Sequence, residues 1–344
     1  MSPTTTTTLR DDVGELLASA GVELTGTTID LNVARLALCS NLPEFQGRRY
    51  FARFDEATTP EYRLNCVDLD AHRLDEASLD RVADRTFRAK RFRTGFYLTH
   101  HFGPPAWITT RGKETTIFGR DLEKIVWTYY IKQMLTTLCA DHGWLHLKAA
   151  GLVGPDGGAT LLFGRGSGGK TVFLTQSCLA GAGFLTNTHV VIQGDVAFGV
   201  PSAMRVRDDA CFGAMIRELA LPRHLQSDEY VLDPNQAFPA AVDSAPVRNL
   251  CVIDYRPEFD RGIRRLDPRR FYQFIDQFAF PPSTYGLKDD LLAHVGGDMD
   301  HYLDAYGRMK DTMRTTVENA NLFHINVDML DPDQRARALE VLFS

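Results

Sequence analysis

The sequence predicts an α/β protein in which a mixed sheet is built around one strand–loop–helix unit, with a small α+β domain before it and a helical portion after it. Three observations lead there. Leu161-Leu162-Phe163 is an apolar run that passes into Gly164-Arg165-Gly166-Ser167-Gly168-Gly169-Lys170-Thr171, and Val172, Phe173, Leu174 and Leu179 then recur at roughly helical spacing. Residues 22–110 hold short strand-like runs parted by Gly, Pro, Asn and Asp. Between Leu291 and Val317 apolar side chains return every three or four residues, the period of a helix with one buried face.

Taken in order, residues 1–8 are a threonine-rich tail with too little to bury, and disorder is expected there. The first domain is expected over 9–118. Asp11–Ala20 places Val13, Leu16 and Leu17 on one face and predicts a short helix. Strands are expected at Val22–Leu24, Ile29–Val33, Arg49–Phe54, Leu64–Val67, Phe96–Leu98 and Trp107–Thr109. Arg85–Arg93 gathers five positive charges and two phenylalanines, a pattern that can mean nucleic-acid contact but is more often a solvated face over two buried rings, here a docking surface for an acidic substrate.

The second domain is expected over 119–344. Asp121–His142 predicts a long helix ended by Gly143. Trp144–Val153 reads as one strand, Pro155-Asp156-Gly157-Gly158 as a hairpin turn, and Ala159–Phe163 as its partner. After the helix that follows the glycine loop, Gly181 and Gly183 are stop signals. Phe184–Ile192 is a strand broken by the polar step Asn187-Thr188, and residues 193–200 form a hairpin around Gly194-Asp195. Ala203–Val206 is a short strand, and Val247–Ile253 is an apolar one that ends at Asp254. Phe271–Phe280 is aromatic-rich, Leu291–Val317 predicts a single long helix, Phe323–Val327 a strand, and Asp331-Pro332 the start of a final helix.

Composition narrows the function. The 344 residues are 44% hydrophobic, enough for a substantial core without covalent staples. A net charge of −6 argues against nucleic acid and against anionic membrane surfaces as partners, since both need an excess of Lys and Arg. Cysteines at 39, 66, 139, 178, 211 and 251 form no C-x-x-C pair and no zinc spacing, so free buried thiols in a reducing compartment are expected. No apolar run reaches membrane-spanning length, and Met1–Thr8 is no secretory signal, so a cytoplasmic protein is expected, with a homo-oligomer compatible with the sequence. H-E-x-x-H and a G-x-S-x-G elbow at a strand end are both absent, and Gly166-Ser167-Gly168 belongs to the glycine loop.

The glycine loop between strand and helix has the form of a P-loop, and each residue type in it has a physical task. Gly164, Gly166, Gly168 and Gly169 free the backbone to turn its N–H groups inward, and together with Arg165 and Ser167 they make a cradle for phosphate oxygens. The helix that opens there adds unpaired first-turn N–H groups and a favourable dipole. Lys170 would bring a cation to the β- and γ-phosphates of a nucleoside triphosphate, and the Thr171 hydroxyl a ligand to Mg2+. Asp254, after the apolar strand Val247–Ile253, matches the way many such proteins hold the metal through an acidic residue. Asp195, in a Gly-Asp turn, and the Asp208-Asp209 pair are further carboxylates, each with a plain turn or capping role available.

The order of helix 121–142, strand with a basic or imidazole side chain, glycine hairpin, P-loop, helix and then a strand with a polar step resembles the HPr kinase/phosphatase superfamily. It is similar also to the wider HPr-kinase-like P-loop proteins related in fold to PEP carboxykinase. The resemblance covers about residues 120–210. It implies an HPr-kinase-like domain with a mixed sheet, a loop that grips ATP, two adjacent aspartates after the next strand as base and Mg2+ ligand, and a His near the phosphates. Gly164, Ser167, Gly169, Lys170 and Thr171 carry over as nucleotide-binding. Gly199-Val200-Pro201 with Arg205 and Arg207 matches a G-x-P step followed by a short basic strand. The aspartate pair is replaced by Asn187 and Thr188, with His189 next. His146 and Lys148, two apart on one strand face, can each take the place of the family His.

Two functions follow. One is an ATP- or GTP-dependent, Mg2+-requiring kinase that phosphorylates a hydroxyl of a small molecule, peptide or protein, possible in a specialised biosynthetic pathway, with Lys170, Arg205 and Arg207 stabilising charge and His189 available as base. The other is a nucleotide-binding module without phosphotransfer, in which the Asn187-Thr188 step marks lost chemistry because an amide cannot take a proton as a carboxylate does.

Overall fold

The computed structural model describes residues 8–42, 50–55, 58–87, 105–166, 168–224 and 228–344. The chain divides into two compact units, Met1–Lys132 and Gln133–Ser344. Both are mixed α/β.

The first unit begins with α1 (Thr8–Ser19), β1 (Thr25–Asp30), β2 (Arg35–Ser40) and β3 (Tyr62–Asp68). It continues with α2 (Glu76–Val82), β4 (Arg85–Phe87), β5 (Ala106–Arg111) and β6 (Glu114–Gly119). These strands make a six-stranded sheet in the order β1-β2-β3-β6-β5-β4, with β2, β3 and β6 parallel. Val67, Trp107 and Phe118 bury one face of it together with Leu79 and Val82 of α2, and Leu16 and Leu17 of α1 pack on that cluster.

The expected helix and the strands near 29, 64 and 107 are present, but β2 and β6 went unpredicted. Their sequences, RLALCS and ETTIFG, carry polar ends that hide the strand signal, and parallel pairing supplies what the local pattern lacks. Residues 50–55 form no strand and meet the sheet through a bridge between Ile29 and Phe54 and through ion pairs of Arg53 with Asp30 and of Asp55 with Arg35. The expected strand at 96–98, most of the basic stretch 85–93 and nearly all of the tail 1–8 lie outside the described residues.

The predicted helix 121–142 is present in three pieces: α3 (Leu122–Ile125), a π-helical turn (Val126–Tyr130) and α4 (Ile131–His142). The second unit then runs β7 (Leu145–Lys148), β8 (Ala150–Val153), β9 (Ala159–Phe163), α5 (Lys170–Leu179), β10 (Gly183–Thr186), β11 (His189–Gln193), β12 (Val196–Gly199) and β13 (Met204–Val206). After these come α6 (Gly213–Glu218), β14 (Tyr230–Leu232), α7 (Pro234–Ala237), β15 (Ser244–Ile253), β16 (Gly262–Arg265) and α8 (Pro268–Phe278). The unit closes with α9 (Pro281–Thr284), α10 (Lys288–His294), α11 (Met299–Asn319), β17 (Asn321–Asn326) and α12 (Pro332–Phe343).

The long strand β15 organises this unit. Its first residues, Ser244–Pro246, pair antiparallel with β12, and its second half lies parallel between β9 and β17. The main path of the sheet is β10-β8-β9-β15-β12-β11-β7, and β16 joins beyond β17. Alternate residues of β9 serve opposite faces: Leu162 packs with Phe173 and Leu174 of α5, while Phe163 meets Phe271 of α8 edge-on at 5.9 Å. Cover on both faces explains why β9 is apolar without alternation.

Three elements differ from the sequence expectation. Trp144–Val153 is two strands, because the chain breaks step at Ala149: β7 pairs with β11, whereas β8 pairs with β9 and β10. The helix expected over 291–317 is interrupted at Gly296 and Gly297, whose φ of 74° and 77° no right-handed helix admits. Asp298 restarts it by accepting from the backbone N–H groups of Asp300 and His301 at 2.9 and 3.0 Å. The C-terminal portion is also less helical than expected, since β16, a strand the sequence did not suggest, pairs with β17, the strand expected near 323–327.

Candidate functional site

The parallel pairing of β9 with β15 brings two C-terminal strand ends out at one sheet edge, the place where open α/β sheets bind ligands. From β9 the chain enters the glycine loop, and from β15 it enters Asp254-Tyr255-Arg256. A Cβ on Gly164 would stand 2.3 Å from the carbonyl oxygen of Ile253, and its φ is +144°, so only glycine lets the loop pass β15 this closely. Gly169, at φ +88°, turns the chain into α5, where a Cβ would crowd Tyr255 at 3.2 Å. Tyr255 N–H donates to Gly168 O at 3.2 Å, which ties the loop to the β15 exit. Ser167 lies outside the described residues.

Lys170, the first residue of α5, folds back along the loop. Its Nζ donates to the carbonyl oxygens of Gly164 at 2.8 Å and Arg165 at 2.7 Å. Burial, and then the nearby Lys148 ammonium, lower its pKa to about 8. Lys148 is itself lowered by burial, and its ammonium sits 5.6 Å from the centre of the Tyr285 ring. The site thus concentrates positive charge that an anion would relieve. Thr171 follows in the first turn of α5, partly exposed.

Asp254 faces the same loop. Its Oδ1 accepts from Arg165 Nη2 at 3.1 Å, and its Oδ2 lies 3.0 Å from Arg256 Nε. Burial pushes the carboxyl pKa up, but the two guanidinium groups outweigh this and hold it below the ordinary aspartate range. Arg256 and Tyr255 are site residues that sequence reasoning missed. Their signal, an aromatic and a cation straight after Asp254, acquires meaning only through the parallel register that sets 254–256 against the loop.

The other expected site residues are placed as follows. His146 and His189 come together across the β7–β11 pair, with His146 Nε2 3.1 Å from His189 Nδ1. Thr136 Oγ1 is 3.2 Å from His146 Nδ1, and both rings are almost wholly buried. Asn187 and Thr188 form the bend between β10 and β11, so the polar step is where the chain leaves β8 for β12 and β7. Thr188 O accepts from Ala149 N–H at 3.0 Å, opposite the matching break between β7 and β8. Arg205, on β13, and Arg207, just after it, both pair with Glu229 at 3.6 and 3.2 Å. Gly199 is fixed by packing, since a Cβ there would meet Leu185 O at 2.0 Å.

The residues present fit a polyphosphate with Mg2+. The loop leaves glycines where the backbone must turn, a lysine ammonium closes it, and a carboxylate stands at the neighbouring strand end. Among the described residues no group of three or more His, Cys, Asp or Glu side chains could hold a metal by itself. Mg2+ at phosphate sites needs only one or two protein ligands besides phosphate oxygens and water, and Thr171 and Asp254 are the two on offer. All six cysteines are free, and burial raises the pKa of each thiol whose shift is resolved, as at Cys178, pushed up to about 12. No helix among the described residues is long and apolar enough to cross a membrane.

No protein-family model matches the chain, and no curated protein does. Among solved structures, it is similar to the HPr(Ser) kinase/phosphatase from Coxiella burnetii over 35% of its own length and 70% of that chain, at 10% identity and a TM-score of 0.24.

Proposed function

We propose that this chain is a P-loop phosphotransferase that binds ATP or GTP with Mg2+ and moves the γ-phosphoryl group to a hydroxyl of a small molecule, peptide or protein. The observation that supports it best is the convergence at one sheet edge of the glycine loop, the Lys170 ammonium closed over it and the Asp254 carboxylate beside it. In this reading Gly164–Gly169 present backbone N–H groups to the phosphates, and Lys170 exchanges its loop carbonyls for phosphate oxygens. Lys148 adds a second cation from β7. Thr171 and Asp254 are the metal ligands, and the bound metal supplies neutralisation of charge on the phosphate oxygens. Such transfer rests mainly on positioning and electrostatics, so the absence of a carboxylate at 187–188 slows the reaction without forbidding it.

A second reading, a nucleotide-responsive module without transfer, is favoured by the burial of His146 and His189 against each other and by the amide at Asn187. Neither imidazole reaches solvent, and an amide is no base. ADP release from purified protein, with and without hydroxyl acceptors, separates the two. Phosphotransferase activity predicts acceptor-dependent ADP release that Lys170→Ala abolishes and Asn187→Asp preserves or raises. Nucleotide binding with no phosphorylated product from parent or Asn187→Asp would leave the module.

A further inference from the structure

Both oxygens of Asp254 are already occupied by guanidinium groups, which raises the question of how the carboxylate could serve a metal. The three members of this cluster are not equally held. Asp254 N–H donates to Ile325 O at 3.1 Å, and Arg256 N–H to Asn326 Oδ1 at 2.9 Å, so the backbone on the β15 side is anchored to β17. The Arg256 guanidinium also lies 5.5 Å from the Phe259 ring centre. Arg165 differs: it rides on the loop, its side chain is 58% exposed, and its guanidinium pairs with Asp254. An exposed ion pair of this kind contributes little to stability and breaks cheaply.

We propose that the Arg165–Asp254 pair is an exchange latch. When the triphosphate and Mg2+ enter together, Asp254 gives up Arg165 and turns to the metal, and the freed guanidinium takes phosphate oxygens. This rests on the phosphotransferase reading of the site and adds to it a specificity-determining role for Arg165. The chemistry on both sides is matched. A guanidinium fork binds phosphate at least as well as carboxylate, and a carboxylate oxygen is a hard ligand suited to Mg2+. In the latched form Arg165 and Arg256 neutralise Asp254, which would otherwise repel the incoming anion. Lys170, on the loop carbonyls, and the nearby Lys148 add two further cations for the phosphates. Exchange then lets the metal and the phosphate arrive without an unpaired charge at any stage.

The test is calorimetric titration of ATP, and separately GTP, into the full chain over a MgCl2 series and in EDTA, for the parent, Arg165→Ala, Arg165→Lys and Asp254→Asn. An exchange latch predicts two opposite shifts in Arg165→Ala. Half-maximal Mg2+ enhancement moves to several-fold lower Mg2+, because Arg165 no longer competes for Asp254 and only Arg256 remains on it. Affinity at saturating Mg2+ falls about tenfold, because the charge-assisted bond from the freed guanidinium to phosphate is lost. Arg165→Lys should fall between, and Asp254→Asn should lose most of the Mg2+ enhancement. An Arg165→Ala protein with the parent's Mg2+ dependence overturns the latch while leaving the phosphotransferase reading intact. No binding of either nucleotide by the parent overturns both.

Discussion

His146 Nε2 stands 3.1 Å from His189 Nδ1, and Thr136 completes a short polar chain inside an otherwise apolar wall of the second unit. Two neutral proton arrangements satisfy it: either His146 donates to His189 and accepts from Thr136, or it accepts from His189 and donates to Thr136. A pair so buried fits a packing role. Accordingly, His146→Ala should cost about 1–3 kcal/mol of stability by leaving His189 short of a buried partner, with nucleotide affinity per folded molecule unchanged. Urea unfolding with calorimetry on the folded fraction checks this. An altered pH–rate profile at parental stability would instead make the imidazole a catalytic group.

Lys170→Ala should reduce triphosphate affinity by about a hundredfold or more, the scale of one or two charge-assisted hydrogen bonds. The same protein should keep its far-UV circular dichroism, because the lysine carbonyl bonds close the loop and hold no strand of the sheet. Unchanged affinity would remove the loop from consideration as the binding site.

The lowered pKa of Lys170, about 8 against an ordinary 10.5, sets a pH signature. Bound phosphate favours the charged ammonium and raises that pKa again, so binding near pH 8–9 should take up protons. Titration in two buffers of different ionisation enthalpy measures the uptake, and affinity should decline as pH rises above about 8. For stability the sign is opposite. Between about 8 and 10.5 the unfolded chain holds more protons at this site, so its unfavourable contribution is full below 8 and fades as pH rises to 10.5. Lys170→Met should lack both effects.

Gly164 and Gly166 should respond differently to alanine. At Gly164 the new Cβ would meet Ile253 O at 2.3 Å under φ +144°, and a cost of about 2–3 kcal/mol is expected, seen as a lower urea midpoint. At Gly166 nothing lies within 4 Å, and stability should stay at the parental value. Equal effects would contradict the close passage of β15 under the loop.

Much of the local structure was legible in the sequence. Apolar Leu161–Phe163 followed by glycines and Lys170-Thr171 determined strand, loop and helix, since backbone freedom and side-chain burial are properties of the residues themselves. The hairpin turns at 155–158 and 194–195 and the final helix capped by Asp331 were equally local. Helix 291–317 shows the limit: the apolar stripe continues through Gly296-Gly297, and period alone could not weigh two left-handed glycines against it.

What the tertiary structure decided was who stands next to whom. Residues 165 and 254 are far apart in sequence, and only the parallel pairing of β9 with β15 makes them an ion pair. The break at Ala149 and the bend at Asn187-Thr188 send paired strands to different neighbours, which buries His146 and His189 together and leaves Lys148 beside Lys170. Strand order and register are long-range outcomes of packing, so a reading based on local pattern could name the charged and imidazole side chains but not assign them their partners.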